Sequence, residues 1–184
     1  LSKLKSKVIN PFLKGVFLTD PNKINPKTSE AIWQSFILGR PGVPENGVQD
    51  FVEALADQVT NIFLESNIST IKNGQIKGSF GTESFDAVIV ATDPVTARKL
   101  TGAKTLEKML PSYTWYHSTS STLADSKYLK IDTSTKLVNS VVISSVSTSY
   151  APKGISLIAS TALENLSAAE VKKSVEKIWK VKDL

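Results

Sequence analysis

Hydrophobic and polar positions change rhythm several times along this chain, and the sharpest change falls at residues 86–100. Ala87-Val88-Ile89-Val90-Ala91 is an unbroken apolar run, and its β-branched residues predict a strand buried on both faces of a helix-covered sheet. Thr92-Asp93-Pro94 then supplies a helix N-cap oxygen and a proline suited to the first turn. A helix carrying Val95, Ala97 and Leu100 should follow at once.

Earlier segments follow other periods. Residues 2–18 read as a helix interrupted near Asn10-Pro11, ending at Thr19-Asp20-Pro21, with a loop over 22–27. Thr28-Ser29 predicts the cap of a second helix with Ala31, Ile32, Phe36 and Leu38 inside and Gly39 as its stop. After a Pro/Gly-rich bend over 39–47, Val48, Phe51, Val52, Leu55 and Val59 recur at helical spacing and predict a core-facing stripe over 48–60. Ile62-Phe63-Leu64 begins a strand, residues 68–71 alternate, and Asn73-Gly74 signals a hairpin that returns through 76–80, with a turn at Gly81-Thr82.

The texture changes after residue 100. A connector over 102–112 holds a short helical piece at 106–110. Segments 113–123, 136–143 and 155–163 are rich in β-branched and aromatic residues and predict an antiparallel sheet, with a turn over Ser149-Tyr150-Ala151-Pro152-Lys153-Gly154. Ser167 and Glu170 form a capping-box pattern ahead of a helix that points Val171, Val175, Ile178 and Trp179 one way. The fold class expected is mixed α/β and α+β.

Composition narrows the chemistry. The 184 residues contain no cysteine and one histidine. Disulfides, thiol nucleophiles, thiolate metal sites and multi-histidine metal sites are therefore excluded, and no metal is expected. No Gly-x-Ser-x-Gly elbow supports a hydrolase. The net charge of +5 comes from lysines gathered near both ends, among them Lys3, Lys5, Lys7, Lys14, Lys172, Lys173, Lys177, Lys180 and Lys182. They read as a solvated helix face, with an anionic partner as the other reading. Aromatic residues do not interleave with them, so nucleic acid is not expected, while contact with a membrane surface stays open. No stretch nears the roughly 20 apolar residues that cross a bilayer, and Leu1-Ser2-Lys3-Leu4-Lys5 has no signal-peptide core. A cytoplasmic setting is expected over a secreted one.

Three segments, in order and spacing, resemble the flavin-dependent amine oxidase superfamily, in its branch similar to phytoene desaturases and protoporphyrinogen oxidases. They are Pro44-Glu45-Asn46-Gly47-Val48-Gln49 with its helix through Ala54-Leu55-Ala56, Ile62-Phe63-Leu64-Glu65-Ser66-Asn67-Ile68 leading to Ile71, and Asp86-Ala87-Val88-Ile89-Val90-Ala91-Thr92-Asp93-Pro94. Weaker echoes lie at Asn10-Pro11-Phe12-Leu13-Lys14-Gly15-Val16-Phe17-Leu18 and at 149–154. The resemblance implies that 44–100 is the second segment of a discontinuous FAD-binding domain and that 1–43 and 101–184 are substrate-domain elements. It implies backbone recognition of adenine at Ile68, and a place near the flavin for Ala91, Thr92 and Asp93.

The departures are informative. No Gly-x-Gly-x-x-Gly occurs, and neither does the family's C-terminal Gly-Asp segment, so the pyrophosphate grip is absent. At Asn46 the family usually has a glycine, and asparagine tolerates left-handed angles best among the alternatives. The resemblance therefore implies an interior piece of a longer FAD-dependent oxidoreductase acting on a small or apolar organic substrate. FAD would be held by the whole protein, not by this chain alone, with the missing N-terminal part as its partner. Trp33, Phe36, Trp115, Tyr116 and His117 are the expected substrate-pocket walls. His117 reads either as an acid or base or as a hydrogen-bonded structural histidine. The reading from a different class is a non-enzymatic α+β binding module whose basic ends meet an anionic partner.

Overall fold

A computed structural model describes residues 5–103, 109–123 and 127–184. A π-helical turn over Lys5–Ile9 leads into α1 (Asn10–Phe17), then α2 (Pro26–Leu38) and α3 (Val48–Ala56). Next come β1 (Ile68–Lys72), β2 (Gln75–Gly78), β3 (Gly81–Ser84) and α4 (Pro94–Thr101). The remainder is β4 (Tyr113–Thr119), β5 (Leu137–Val142), a single helical turn α5 (Ile143–Val146), β6 (Ser156–Ala162) and α6 (Ala168–Trp179). The fold is mixed α+β, with two antiparallel three-stranded sheets among the described residues. The chain divides into two compact units, one of residues 1–54 with 110–184 and the other of 55–109.

The larger unit is built on a sheet of order β4-β6-β5. Along β6, Ser156, Ile158, Ser160 and Ala162 are buried while the residues between them are half-buried, the period-2 signature of a strand with one fully covered face. That cover is α6, whose Val171, Val175 and Trp179 close over Leu137, Val142, Ile158 and Ala162. Each fully buried aliphatic side chain contributes about 1.5–3 kcal/mol. The helix starts at the expected capping box: Ser167 Oγ accepts from Glu170 N–H at 3.3 Å, and Ser167 N–H donates to the Glu170 carboxylate at 3.1 Å. On the other side α1 approaches β5 closely at Gly15, where an added Cβ would stand 3.2 Å from the Val138 carbonyl oxygen. Asn139 Nδ2 donates to the Gly15 carbonyl there. Ser147 and Ser149 donate to the Glu45 carbonyl and Tyr150 Oη to that of Pro44, so two of the resembling motifs, 44–47 and 149–154, are tied together.

In the smaller unit β1, β2 and β3 form a meander. Asn73 (φ 49°) and Gly74 (φ 75°) both take positive φ in the two-residue hairpin that Asn-Gly predicts. Asp93 caps α4 as expected, accepting from the N–H groups of Val95 and Thr96 at 2.9 and 3.1 Å.

Several expectations are corrected. The run 86–91 joins no strand ladder, and Ile89 is 91% exposed instead of buried on both faces. Ile62-Phe63-Leu64 likewise forms no strand, with Phe63 78% and Leu64 81% exposed. The stripe Val48, Phe51, Val52, Leu55 and Val59 is half exposed or more, and its helix stops at Ala56. All these segments have the apolarity of core elements, but the described residues supply no neighbour to cover them. Gly81-Thr82 opens β3 rather than only turning the chain. Helix α2 starts at Pro26 and is capped by Asn25, because an Asn-Pro pair satisfies both the cap and the first helical position ahead of Thr28-Ser29. In the 39–47 bend the left-handed residue is Gly47 (φ 116°), and the Asn46 amide donates to Asp50 at 2.8 Å. The expected helical piece at 106–110 lies mostly outside the described residues.

Candidate functional site

The residues expected to wall a pocket separate into three places. Trp33 and Phe36 lie on one side of α2 and meet Phe12 of α1 edge-on, with ring centroids 5.4 and 5.2 Å apart. Trp115 and His117 are on the α6 face of β4, paired in register with Ser160 and Ile158. Trp115 packs against the core and stacks on Tyr113 at 6.0 Å. Tyr116, between them in sequence, points to the opposite face and is 66% exposed. A strand alternates its side chains, so three consecutive residues cannot share one wall.

His117 is the chemically distinctive member. Its Nδ1 is buried without a hydrogen-bond partner. Burial pushes its pKa down, and Lys172 on α6 adds to the effect, so the ring is held neutral at physiological pH.

The expected cofactor residues all belong to the smaller unit. Ile68 opens β1 opposite Gly78, next to an irregularity in the ladder. Ala91 and Thr92 are exposed, and Asp93 is committed to the α4 cap. Hydrogen bonds from Thr96 and Val95 hold the Asp93 carboxyl below its usual range, so it stays charged. This helix start is already occupied by a carboxylate and would repel a phosphate. Taken alone, the described residues do not fit FAD: the strand backbone for a base is present, but a phosphate grip is not.

Open clefts lie elsewhere in the larger unit. One of about 670 Å³ runs between Asn10, Lys14 and Asp20 on one side and Asp132, Lys136 and Glu164 on the other. The second, about 660 Å³, is lined by Ser144, Ser145, Ser147 and Ser156. Their hydroxyls are spent internally: Ser144 accepts from Leu157 N–H, while Ser145, Ser147 and Ser156 donate to the carbonyls of Leu123, Glu45 and Ser121. None of the five expected pocket residues lines either cleft.

Two further polar constellations lie in the larger unit. In the core, Trp179 Nε1 donates to Ser140 Oγ at 2.7 Å, and Ser140 shares a 2.7 Å bond with Ser160, both serines having no exposure. The signal was the inward parity of Ser156 and Ser160 with Ile158 and Ala162 along β6. At the β4 terminus, Asp183 accepts from the N–H and hydroxyl of Ser120 and from the hydroxyl of Ser121. The hydroxyls of Thr119, Ser120 and Ser121 hold its carboxyl far below the usual range. No sequence pattern places these distant residues together.

Of the lysines near the C-terminus, Lys172, Lys173, Lys177, Lys180 and Lys182 are exposed, and Lys172 also donates to the Leu184 carbonyl at 2.7 Å. Comparison with protein-family models, with curated proteins and with solved structures finds no match.

Proposed function

We propose that this chain is an interior segment of an FAD-dependent oxidoreductase of the amine oxidase and phytoene desaturase type, acting on a small or apolar organic substrate. In this reading residues 44–100 belong to a flavin domain completed by polypeptide outside the chain. Residues 1–43 and 101–184 contribute substrate-domain elements. One observation carries it: Phe63, Leu64 and Ile89 lie in two apolar segments on either side of the β1–β3 meander, the second leading into a capped helix, yet have no strand neighbours. Strands of that composition are stable when covered on both faces, so a unit that leaves them bare has the character of a domain in need of its other half.

Under this reading the chain's own residues position and exclude water. Ile68 offers main-chain polarity to a base, Ala91 and Thr92 line the flavin's side, and Asp93 fixes the start of α4. The flavin, once bound in the whole protein, supplies the redox chemistry.

The test has two parts. The coding sequence upstream should contain a strand followed by Gly-x-Gly-x-x-Gly, and the isolated chain should leave FAD fluorescence unquenched. Tight FAD binding by this chain alone, or an upstream sequence without the fingerprint, refutes the reading. Salt-sensitive binding to anionic vesicles by the isolated chain would favour the basic binding module instead.

A further inference from the structure

The two edges of the larger sheet are treated differently. On the β5 edge the register shifts between Leu137 and Asn139, and Lys130 closes the outer side of Ser140 with reciprocal backbone bonds of 2.8 and 2.9 Å. Bulges and lysines are the devices that blunt a sheet edge. The β4 edge has neither. Tyr113-Thr114-Trp115-Tyr116-His117-Ser118-Thr119 pairs with β6 in seven unbroken steps, and contains no Lys, Arg, Asp, Glu or Pro. Among the described residues nothing pairs with its outer side.

The backbone polarity of that edge follows from the ladder. Ser140 turns its N–H and C=O outward to Lys130, so its pair with Ser160 is not hydrogen-bonded, and Ser160 must turn its own N–H and C=O toward Trp115. By alternation Trp115 faces β6, and Thr114, Tyr116 and Ser118 present their N–H and C=O groups to the open side.

We propose that β4 pairs antiparallel with β4 of a second copy about a two-fold axis at Tyr116, joining the two three-stranded sheets into one of six strands. The sequence suits this register. Tyr116 meets itself in a hydrogen-bonded pair, Thr114 meets Ser118, and Trp115 meets His117. About six main-chain bonds form, and no like charges are opposed. Residues of the α6 face stay on that face in both copies, so the cores align. Tyr116 is mostly exposed in the single chain, and this arrangement sets the two Tyr116 rings side by side. The proposal is independent of the flavoprotein reading.

Charge swapping tests it. Sedimentation of the full chain should give twice the monomer mass. Tyr116→Lys and Tyr116→Glu, each placing like charges opposite one another at the two-fold, should each give the monomer mass while keeping the wild-type far-UV spectrum. Mixed in equal amounts, the two should return to twice the monomer mass, which also shows that neither variant is misfolded. Ser118→Pro removes an outward N–H without touching the β6 ladder and should likewise abolish pairing. A wild-type chain at the monomer mass overturns the proposal and leaves the edge to some other strand. A Tyr116→Lys chain that keeps twice the monomer mass overturns it as well.

Discussion

Among the described residues, replacing Ser140 by alanine should destabilise the larger unit more than any other single loss of a hydroxyl. Its Oγ sits between Trp179 Nε1 and Ser160 Oγ, each at 2.7 Å, with both serines fully buried. Ser140→Ala orphans two groups at once, the indole N–H and the Ser160 hydroxyl. A buried polar group without a partner costs about 1–3 kcal/mol, so the substitution should cost roughly 2–4 kcal/mol after local relaxation. Ser160→Ala should cost only about 1 kcal/mol, because the Ser140 hydroxyl still accepts from Trp179. The double variant leaves a single orphan, the indole N–H, and should cost less than the two singles summed. Urea unfolding followed by tryptophan emission reads these differences, since Trp33, Trp115 and Trp179 all belong to this unit. A Ser140→Ala cost below about 1 kcal/mol, a Ser160→Ala cost at least as large, or strict additivity would refute the network.

Val175→Ala on the buried face of α6 should cost roughly 2 kcal/mol through lost burial and a residual cavity, whereas Val52→Ala on the exposed stripe of α3 should fall within about 0.5 kcal/mol of wild type; the same urea series measures both. The folded His117 pKa lies below its usual value, so the native chain binds fewer protons than the unfolded one near pH 6, and the His117 contribution is lost as pH falls through about 6.5. His117→Gln should flatten melting temperature against pH between about 7 and 5, and an unchanged slope would contradict the burial argument. Asp183 has the same sign of shift on a carboxyl: its contribution is full above the ordinary carboxylate pKa of about 4 and is lost as pH falls below it. The melting temperatures of wild type and Asp183→Asn should therefore differ at pH 7 and draw steadily closer as pH falls from about 4 toward 2, and parallel curves would show that the clasp around Ser120 and Ser121 is not formed in solution.

What the sequence determined is what neighbours within a few residues can decide. Asn73-Gly74 makes its hairpin because positive φ is cheapest there; Asp93-Pro94 starts α4 and Ser167 with Glu170 starts α6, because those side chains reach orphan N–H groups of their own helix. Alternation along β6 and the period of Val171, Val175 and Trp179 set the sheet–helix core, since each element carries its own buried face. Apolarity, by contrast, says that a residue gains by being covered and not what covers it. Ile89, Phe63 and the α3 stripe read as core and lie bare, because cover is a property of neighbours and not of the run itself. The same limit governs the candidate site. Trp33, Phe36, Trp115, Tyr116 and His117 share a residue type suited to a pocket wall, but strand parity and helix placement send them to separate surfaces. Only the tertiary structure could join Ser140 to Trp179, or Asp183 to Ser120, because those bonds close loops of 39 and 63 residues whose ends the chain's local chemistry does not mark.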